Sequence, residues 1–290
     1  MTEALALEHL REWIGRTEQT QDDLSPWTAN AMAALVRNAQ RPRPAGHALP
    51  PLWHWSYFLP TVPQDGLGID GHPARGGFLP PVPLPRRMWA GSQLEFFAPL
   101  RTGEPSRKTS TVTDVALKEG KARALVFVKV QHEIHDAAGT LLLREAQDIV
   151  YREAARPGEP PAPVQAPPTE PAWSVEHQCD PTLLFRYGAL TFNAHRIHYD
   201  LPYATRVEGY EGLVVHGPLV ATLMLEAAQR LNPGLTVSAF RFRAVRPLIC
   251  NRRLIVRGCT TQADGTATLW AEDGQGALLQ QASVTFSQNE

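Results

Sequence analysis

Residues 154–172, AARPGEPPAPVQAPPTEPA, constrain this chain more than any other stretch. Seven of the fifteen residues from Pro157 to Pro171 are proline, and almost nothing among them can pack into a core. Proline removes a backbone donor and fixes φ, so the segment reads as an extended, solvated polyproline II connector. It divides the 290 residues into an N-terminal domain, 1–153, and a C-terminal domain, 173–290, each long enough for its own core.

The C-terminal part opens with Asp180-Pro181, an N-cap and first-turn pair, before the short apolar run TLLFRYGA. A polar, His-rich loop at 191–201 follows. From Pro218 to Leu231 the sequence PLVATLMLEAAQRL has no breaker after its first residue and is apolar nearly all round, which predicts a helix buried on most sides. Then LTVSAFRFRAV, RRLIVRGCT, TATLWAED and LLQQASVTFS read as strands, separated by Pro247, Asp264-Gly265 and Asp273-Gly274. One buried helix followed by an antiparallel meander implies a sheet that wraps the helix.

The N-terminal part ends in the same texture, with QLEFFAPL, RKTSTVTDVALK, ALVFVKVQHEIHD and LLLREAQDIVYRE as four strand-like runs. LEFFAPL at 94–100 echoes FRFRAVRPL at 240–248, so the chain reads as a duplication of one α+β unit, a helix and a curled sheet. The N-terminal copy is the degenerate one. Its residues 41–91 are rich in Pro, Gly and Trp and hold no long apolar helix. Trp53, Trp55, Tyr57, Phe58 and Trp89 in that stretch suit two roles equally, core filler for the missing helix or a lid.

Composition narrows the partners. With 28 basic and 29 acidic residues and no basic stripe, the chain offers no nucleic-acid footprint. No stretch approaches the roughly 18 apolar residues of a membrane span, and the acidic start MTEALALEHLREW is unlike a signal peptide. Cys179, Cys250 and Cys259 read as reduced thiols, so a cytoplasmic protein is expected.

Chemistry concentrates in Thr191-Phe-Asn-Ala-His-Arg-Ile-His-Tyr-Asp200. A metal set of His195, His198 and Asp200 lacks a third His or Cys nearby in sequence and sits on a loop, so no metal is expected. A second feature lies close by: Val214-Val215-His216-Gly217-Pro218 runs straight into the apolar helix. The free amides at that helix start carry the positive pole and can hold an anionic oxygen, and a glycine lets a ligand come close. A polar base-bearing loop and an oxyanion-type helix start in one compact unit point to an enzyme more strongly than either does alone.

These residues carry a family resemblance. YGALTFNAHRIHYDLPYA (187–204) followed by GLVVHGPLVATLMLEAA (212–228) resembles the MaoC-like hydratases and dehydratases of the hot-dog superfamily. GHPARGGFLPPVPLPRRMWAGSQLEF (71–96) is similar to the fused double-hot-dog branch that contains mesaconyl-C4-CoA (3-methylfumaryl-CoA) hydratase and itaconyl-CoA hydratase. The resemblance implies a double hot-dog, reversible water addition to a 2,3-unsaturated acyl thioester, no cofactor, and His198 as the family's motif histidine. The motif's aspartate, five residues earlier, is Asn193 here. An amide can orient water but cannot take its proton, which leaves His198 as the base.

The expected machinery is therefore Asn193, His198 and the Gly217 amide as the oxyanion donor. His195, Arg196, Tyr199, Asp200 and His216 are the expected substrate contacts. A second acid or base is left open among Asp200, His195 and a group of the N-terminal domain. Arg196 beside the site hints at a carboxylate-bearing acyl group, against the plainer reading that it pairs with Asp200. Arginines such as Arg86, Arg87, Arg241 and Arg243 are candidates for the CoA phosphates. The expected partner is an acyl-CoA, in the first place a branched C5 dicarboxylic one, and a homodimer is left open. A 3-hydroxyacyl-ACP or -CoA dehydratase of fatty-acid synthesis and a catalytically silent thioester-binding module are the alternatives.

Overall fold

The computed structural model describes residues 7–36, 43–119, 124–154 and 164–288. Before the proline-rich segment come α1 (Leu7–Arg11), β1 (Thr17–Asp22), α2 (Pro26–Leu35), β2 (Arg86–Phe96), β3 (Ser106–Glu119), β4 (Ala124–Asp136) and β5 (Leu141–Arg152). After it come β6 (Trp173–Gln178), α3 (Pro181–Leu190), α4 (Gly217–Leu231), β7 (Leu235–Ala244), β8 (Arg253–Gly258), β9 (Thr266–Asp273) and β10 (Leu278–Gln288). Of the segment itself, residues 155–163 lie outside the described ones. The stretch that follows is stitched to the C-terminal sheet, with Leu278 donating to the Gln165 carbonyl (3.1 Å) and Ala172 to that of Gly258 (2.9 Å).

All ten strands form one sheet in the order β1-β3-β4-β5-β2-β7-β10-β9-β8-β6. Read outward from the centre, the two sides are β2-β5-β4-β3-β1 and β7-β10-β9-β8-β6, the same path twice. The duplication is thus visible in topology, and β2 and β7 join the copies antiparallel from Gly91↔Arg243 to Glu95↔Ala239. The matching of LEFF with FRFR reflects this seam, where Leu94 stands opposite Phe240.

α4 is the helix the C-terminal sheet wraps, packing on β7, β8, β9 and β10. Seven consecutive residues, Leu219–Leu225, are buried, including Thr222, whose hydroxyl donates to the Pro218 carbonyl at 2.9 Å. A helix apolar on every face has no solvent side to present, so it becomes the core. Each large side chain buried there contributes about 1.5–3 kcal/mol.

The N-terminal copy has α2 in the place that α3 takes in the other. Ser25 and Asp180 cap them alike, accepting from Trp27 N and Leu183 N, and each is followed by proline. Among the described residues it has no counterpart of α4. Trp53, Tyr57 and Phe58 are buried in the main core, exposed by 0%, 4% and 2%. The Trp53 indole reaches across to donate to Glu226 on α4 at 2.7 Å. The aromatic stretch is therefore core filler first. It also walls a 160 Å³ cavity over the N-terminal sheet with Trp55, Phe58, Trp89, Lys108 and His132.

Beside that cavity the buried Glu145 accepts from His54 Nε2 (3.1 Å), Trp55 Nε1 (3.1 Å), Ser92 Oγ (2.7 Å) and Gln147 Nε2 (3.1 Å). Burial alone would raise the Glu145 carboxyl. The His54 hydrogen bond and the charges of His54 and His132 outweigh it and hold the group at about 2.

Four of these elements escape a reading by hydrophobic period: α1, β1, α2 and β6. β2 also begins at Arg86, so the Arg-Arg-Met-Trp run is strand and not part of the loop before it. The thiols of Cys179, Cys250 and Cys259 are free. No described helix is long and apolar enough to cross a membrane.

Candidate active site

The His-rich loop is folded by its own short-range hydrogen bonds. Phe192 takes a left-handed conformation (φ 49°), and Asn193 N then donates to the Gly188 carbonyl at 2.8 Å. The Asn193 side-chain oxygen accepts from His195 N at 2.9 Å, an Asx turn that aims the following residues. Residues Arg196–His198 form one 3-10 turn, and Val214 is bonded to it twice. Val214 N donates to the Ile197 carbonyl at 3.0 Å, and the Val214 carbonyl receives His198 Nδ1 at 2.7 Å.

That second bond fixes the imidazole. Nδ1 carries the proton given to the carbonyl, so Nε2 holds the free lone pair. His198 is 9% exposed, and burial, only partly countered by the Val214 carbonyl, lowers it to about 4. It is a neutral base across the physiological range.

The same hydrogen bonds hold His198 against the start of α4. His216 caps that helix and its ring stacks on His198, centroids 3.7 Å apart and planes at 20°. Both nitrogens of His216 are buried, and among the described residues neither has a hydrogen-bond partner. Burial first, then the neighbouring His198 and His195, push its pKa far down. Gly217 comes next. Its carbonyl accepts from Gln280 Nε2 at 2.8 Å, which orients the first peptide of α4. The first-turn amides of a helix have no acceptor within it, so this end presents N–H groups beside the stacked imidazoles.

The other expected contacts divide. His195 is buried, 5.4 Å from His198 between ring centroids, and burial lowers it to about 2. Arg196 is engaged by Asp200 through Nε (3.0 Å) and Nη2 (2.7 Å), donates to the Ile69 carbonyl (3.1 Å) and lies over the Tyr203 ring. Asp200 also accepts from Tyr203 N at 3.1 Å. The plainer reading of Arg196 is the one the geometry favours. Tyr199 is 56% exposed at the rim.

The N-terminal half contributes what sequence reasoning left unnamed. Asp70, Gly71 and His72 lie against the loop, with Arg196 N donating to the Asp70 carbonyl at 2.9 Å. Gly71 has φ +87°, and a Cβ there would overlap the Ala194 carbonyl oxygen. The Asp70 carboxylate accepts from His72 N (3.0 Å) and faces His72 Nδ1 (3.1 Å). The His72 and His195 rings are 4.1 Å apart. Burial pushes the Asp70 carboxyl up, but the bond from His72 and the charges of His72 and Arg87 hold it well below the usual carboxylate range.

A metal-type set does exist in space, though not the one weighed in the sequence. Ligand atoms of Asp70, His72 and His195 lie within 4.8 Å of one another, while Asp200 is paired with Arg196. The only signal for these residues was the phrase IDGHPARGG, whose glycine and histidine carry no meaning until the halves are docked.

Two curled antiparallel sheets joined edge to edge, with a histidine loop pressed on a buried helix's N-terminus, define the double hot-dog class of thioester hydratases and dehydratases. Residues 52–250 match hydroxyacyl-thioester dehydratase type 2, and the chain belongs to that family. It is 47% identical over 274 residues to the mesaconyl-C(4)-CoA hydratase of Chloroflexus aurantiacus, covering 94% of this chain and 96% of that one. The MaoC-like dehydratase of Phytophthora capsici superposes with a TM-score of 0.71 at 14% identity, covering 99% of this chain and all (100%) of that one. A Mycobacterium tuberculosis protein described as having a double hot-dog fold superposes at 0.56 with 17% identity, over 94% of this chain and 96% of that one.

Proposed function

We propose that this protein is an acyl-CoA hydratase that adds water reversibly to a branched C5 dicarboxylic enoyl-CoA such as mesaconyl-C4-CoA, forming citramalyl-CoA. The observation that carries the reading is the free Nε2 of His198 beside the amide end of α4. Water held by Nε2 and by the Asn193 amide group loses its proton to His198 as its oxygen bonds to C3. Charge gathers on the thioester oxygen, where the Gly217 N–H meets it, a contact of the kind worth about 2.7–4 kcal/mol. Substrate class follows from the 47% identity to the Chloroflexus hydratase.

The free carboxylate of such a substrate needs a cation. Arg196 is taken by Asp200, Arg86 by Glu208 (3.0 Å), and Arg75 by the carbonyls of Val82, Leu84 and Pro85. Arg87 stands opposite Tyr151 on the inner face of the sheet, and its charge acts on Asp70, His72 and His195 together. Its side chain meets the Tyr151 hydroxyl and no carboxylate pairs with it at salt-bridge distance among the described residues, which leaves it the guanidinium for the substrate carboxylate.

The test follows absorbance of the conjugated thioester with mesaconyl-C4-CoA, straight-chain enoyl-CoA and enoyl-pantetheine substrates. Mesaconyl-C4-CoA is expected to give the highest kcat/KM, and His198→Gln to lower it by about 10²–10⁴ with the fold intact. Preference for the straight-chain pantetheine substrate favours a carrier-protein dehydratase. No turnover by the wild type, or full turnover by His198→Gln, removes the reading.

A further inference from the structure

Asn193 leaves the reaction one group short. Adding water requires a proton taken at oxygen and a proton given at carbon, and a carboxamide does neither. The side-chain oxygen of Asn193 is in any case occupied by His195 N at 2.9 Å. The N-terminal half brings an ionisable pair to the same place, on a segment with close packing to the loop. His72 has its Nδ1 on the Asp70 carboxylate at 3.1 Å, and its ring lies 4.1 Å from His195, which in turn lies 5.4 Å from His198.

We propose that the Asp70–His72 pair is the second proton-transfer group of this active site, giving the proton to C2 while His198 removes one from water. The inference rests on the hydration reading above. A lone pair of the water oxygen forms the C3–O bond, and the water proton passes to His198 Nε2. The π pair of C2=C3 becomes the C2–H bond, with its proton from the His72 imidazolium at Nε2. His198 ends protonated and His72 neutral. One proton exchanged with solvent restores both, and the thioester has gained one H and one OH.

Environment assigns the roles. His198 is oriented by a neutral carbonyl at 2.7 Å, which offers a dipole and no counter-charge, so it stays neutral and serves as base. His72 is oriented by a carboxylate, which stabilises the imidazolium as the carboxylate of a catalytic triad does. Burial first, with the charges of Arg87 and Arg75, lowers His72 below the ordinary imidazole value, and Asp70 is the group that works against this and supports its cation. His195, facing it, is neutral. Of the two imidazoles only His72 faces a carboxylate, and that difference in partner is what assigns one acid and one base in this pocket.

A structural role makes a different prediction. The docking of this segment runs through the Asp70 main-chain carbonyl and Gly71, and the bond that Asp70 Oδ1 accepts from His72 N is one that an asparagine oxygen also accepts. The experiment uses the full chain with His72→Ala, His72→Gln and Asp70→Asn, and His198→Gln in parallel, assayed with mesaconyl-C4-CoA across pH. His72→Gln is expected to lower kcat by about 10²–10⁴ at an unchanged thermal midpoint, and added imidazole to restore part of the rate to His72→Ala. The wild-type rate should fall on the alkaline side as His72 loses its proton. Asp70→Asn withdraws the stabilising charge, so that limb should move to lower pH.

Turnover of His72→Gln within threefold of wild type, or an alkaline limb unmoved in Asp70→Asn, overturns the assignment while His198→Gln still tests hydration separately. A stoichiometric metal in the purified protein that is lost in His72→Gln overturns it in favour of ligation, since Asp70, His72 and His195 offer three ligand atoms. A wild type inert on every thioester overturns both readings.

Discussion

Gly71→Ala tests whether the active site is assembled across the two halves. The backbone there has φ +87°, where an L-residue with a Cβ costs about 1–2 kcal/mol. The new methyl would also occupy the position of the Ala194 carbonyl oxygen, so the segment or the loop must move. Moving it breaks the Arg196 N to Asp70 O hydrogen bond of 2.9 Å, worth about 0.5–1.5 kcal/mol. The sum, about 1.5–3.5 kcal/mol, corresponds to a fall in Tm of about 3–6 °C for a protein of this size. The catalytic consequence is larger in proportion. A displacement of about 1 Å in a reacting constellation costs about 10²-fold. Gly139 supplies the control: it shares φ +87° in the β4–β5 turn, and a Cβ there meets nothing within 4 Å. Differential scanning calorimetry and steady-state kinetics on both variants are the assay. Gly139→Ala should lose stability and keep kcat/KM, whereas Gly71→Ala should lose about two orders of magnitude of kcat/KM. Gly71→Ala with wild-type kinetics would refute the packing argument.

Three further outcomes are expected. His216→Phe keeps the stack on His198 and removes two buried, unpartnered nitrogens, so it should raise stability by about 1–3 kcal/mol and lower kcat/KM; a destabilised variant in a urea titration counts against this. Burial lowers His132 and His198 to about 4, whereas both titrate near 6.5 when unfolded, so the unfolded chain binds more protons between those values. Their stabilising contribution is whole above about pH 6.5 and is lost as pH falls towards 4, at about 1.4 kcal/mol per unit for each group; a urea midpoint equal at pH 7.5 and pH 5 contradicts it. Arg87→Met should reduce kcat/KM for mesaconyl-C4-CoA about 10–160-fold more than for crotonyl-CoA, by one charge-assisted hydrogen bond of about 1.5–3 kcal/mol, and equal losses would assign Arg87 no part in reading the carboxylate.

The buried Glu145 network ties β2, β5 and the aromatic stretch of the N-terminal copy together. Four donors converge on one buried carboxylate, and Trp53, Tyr57 and Phe58 of the same stretch are buried. A fully satisfied buried charge is costly to break and rigid while intact. The degenerate half thus holds its sheet firmly enough to present Arg87, Asp70 and His72 to the other.

What the sequence determined by itself was whatever is written in local period and local capping. The apolar run Pro218–Leu231 had to be a buried helix, and four strands in each half alternate or run apolar between Gly and Asp turns. His198 and Gly217 could be named as candidates, His198 through the family resemblance its loop carries and Gly217 through the helix start it opens. β1, TEQTQD, and β6, WSVEHQ, were not, because an edge strand with few buried side chains shows little hydrophobic alternation; their hydrogen bonds to β3 and β8 decide them. The partner of Arg196 is left open by the sequence and becomes Asp200 where Asp200 N closes on the Arg196 carbonyl at 2.8 Å and brings residues four apart together. The place of Asp70 and His72 beside the His-rich loop could not be read at all. They acquire a place only when the antiparallel β2–β7 seam sets one half against the other, since proximity between distant segments is a property of packing and leaves no periodic trace in either one.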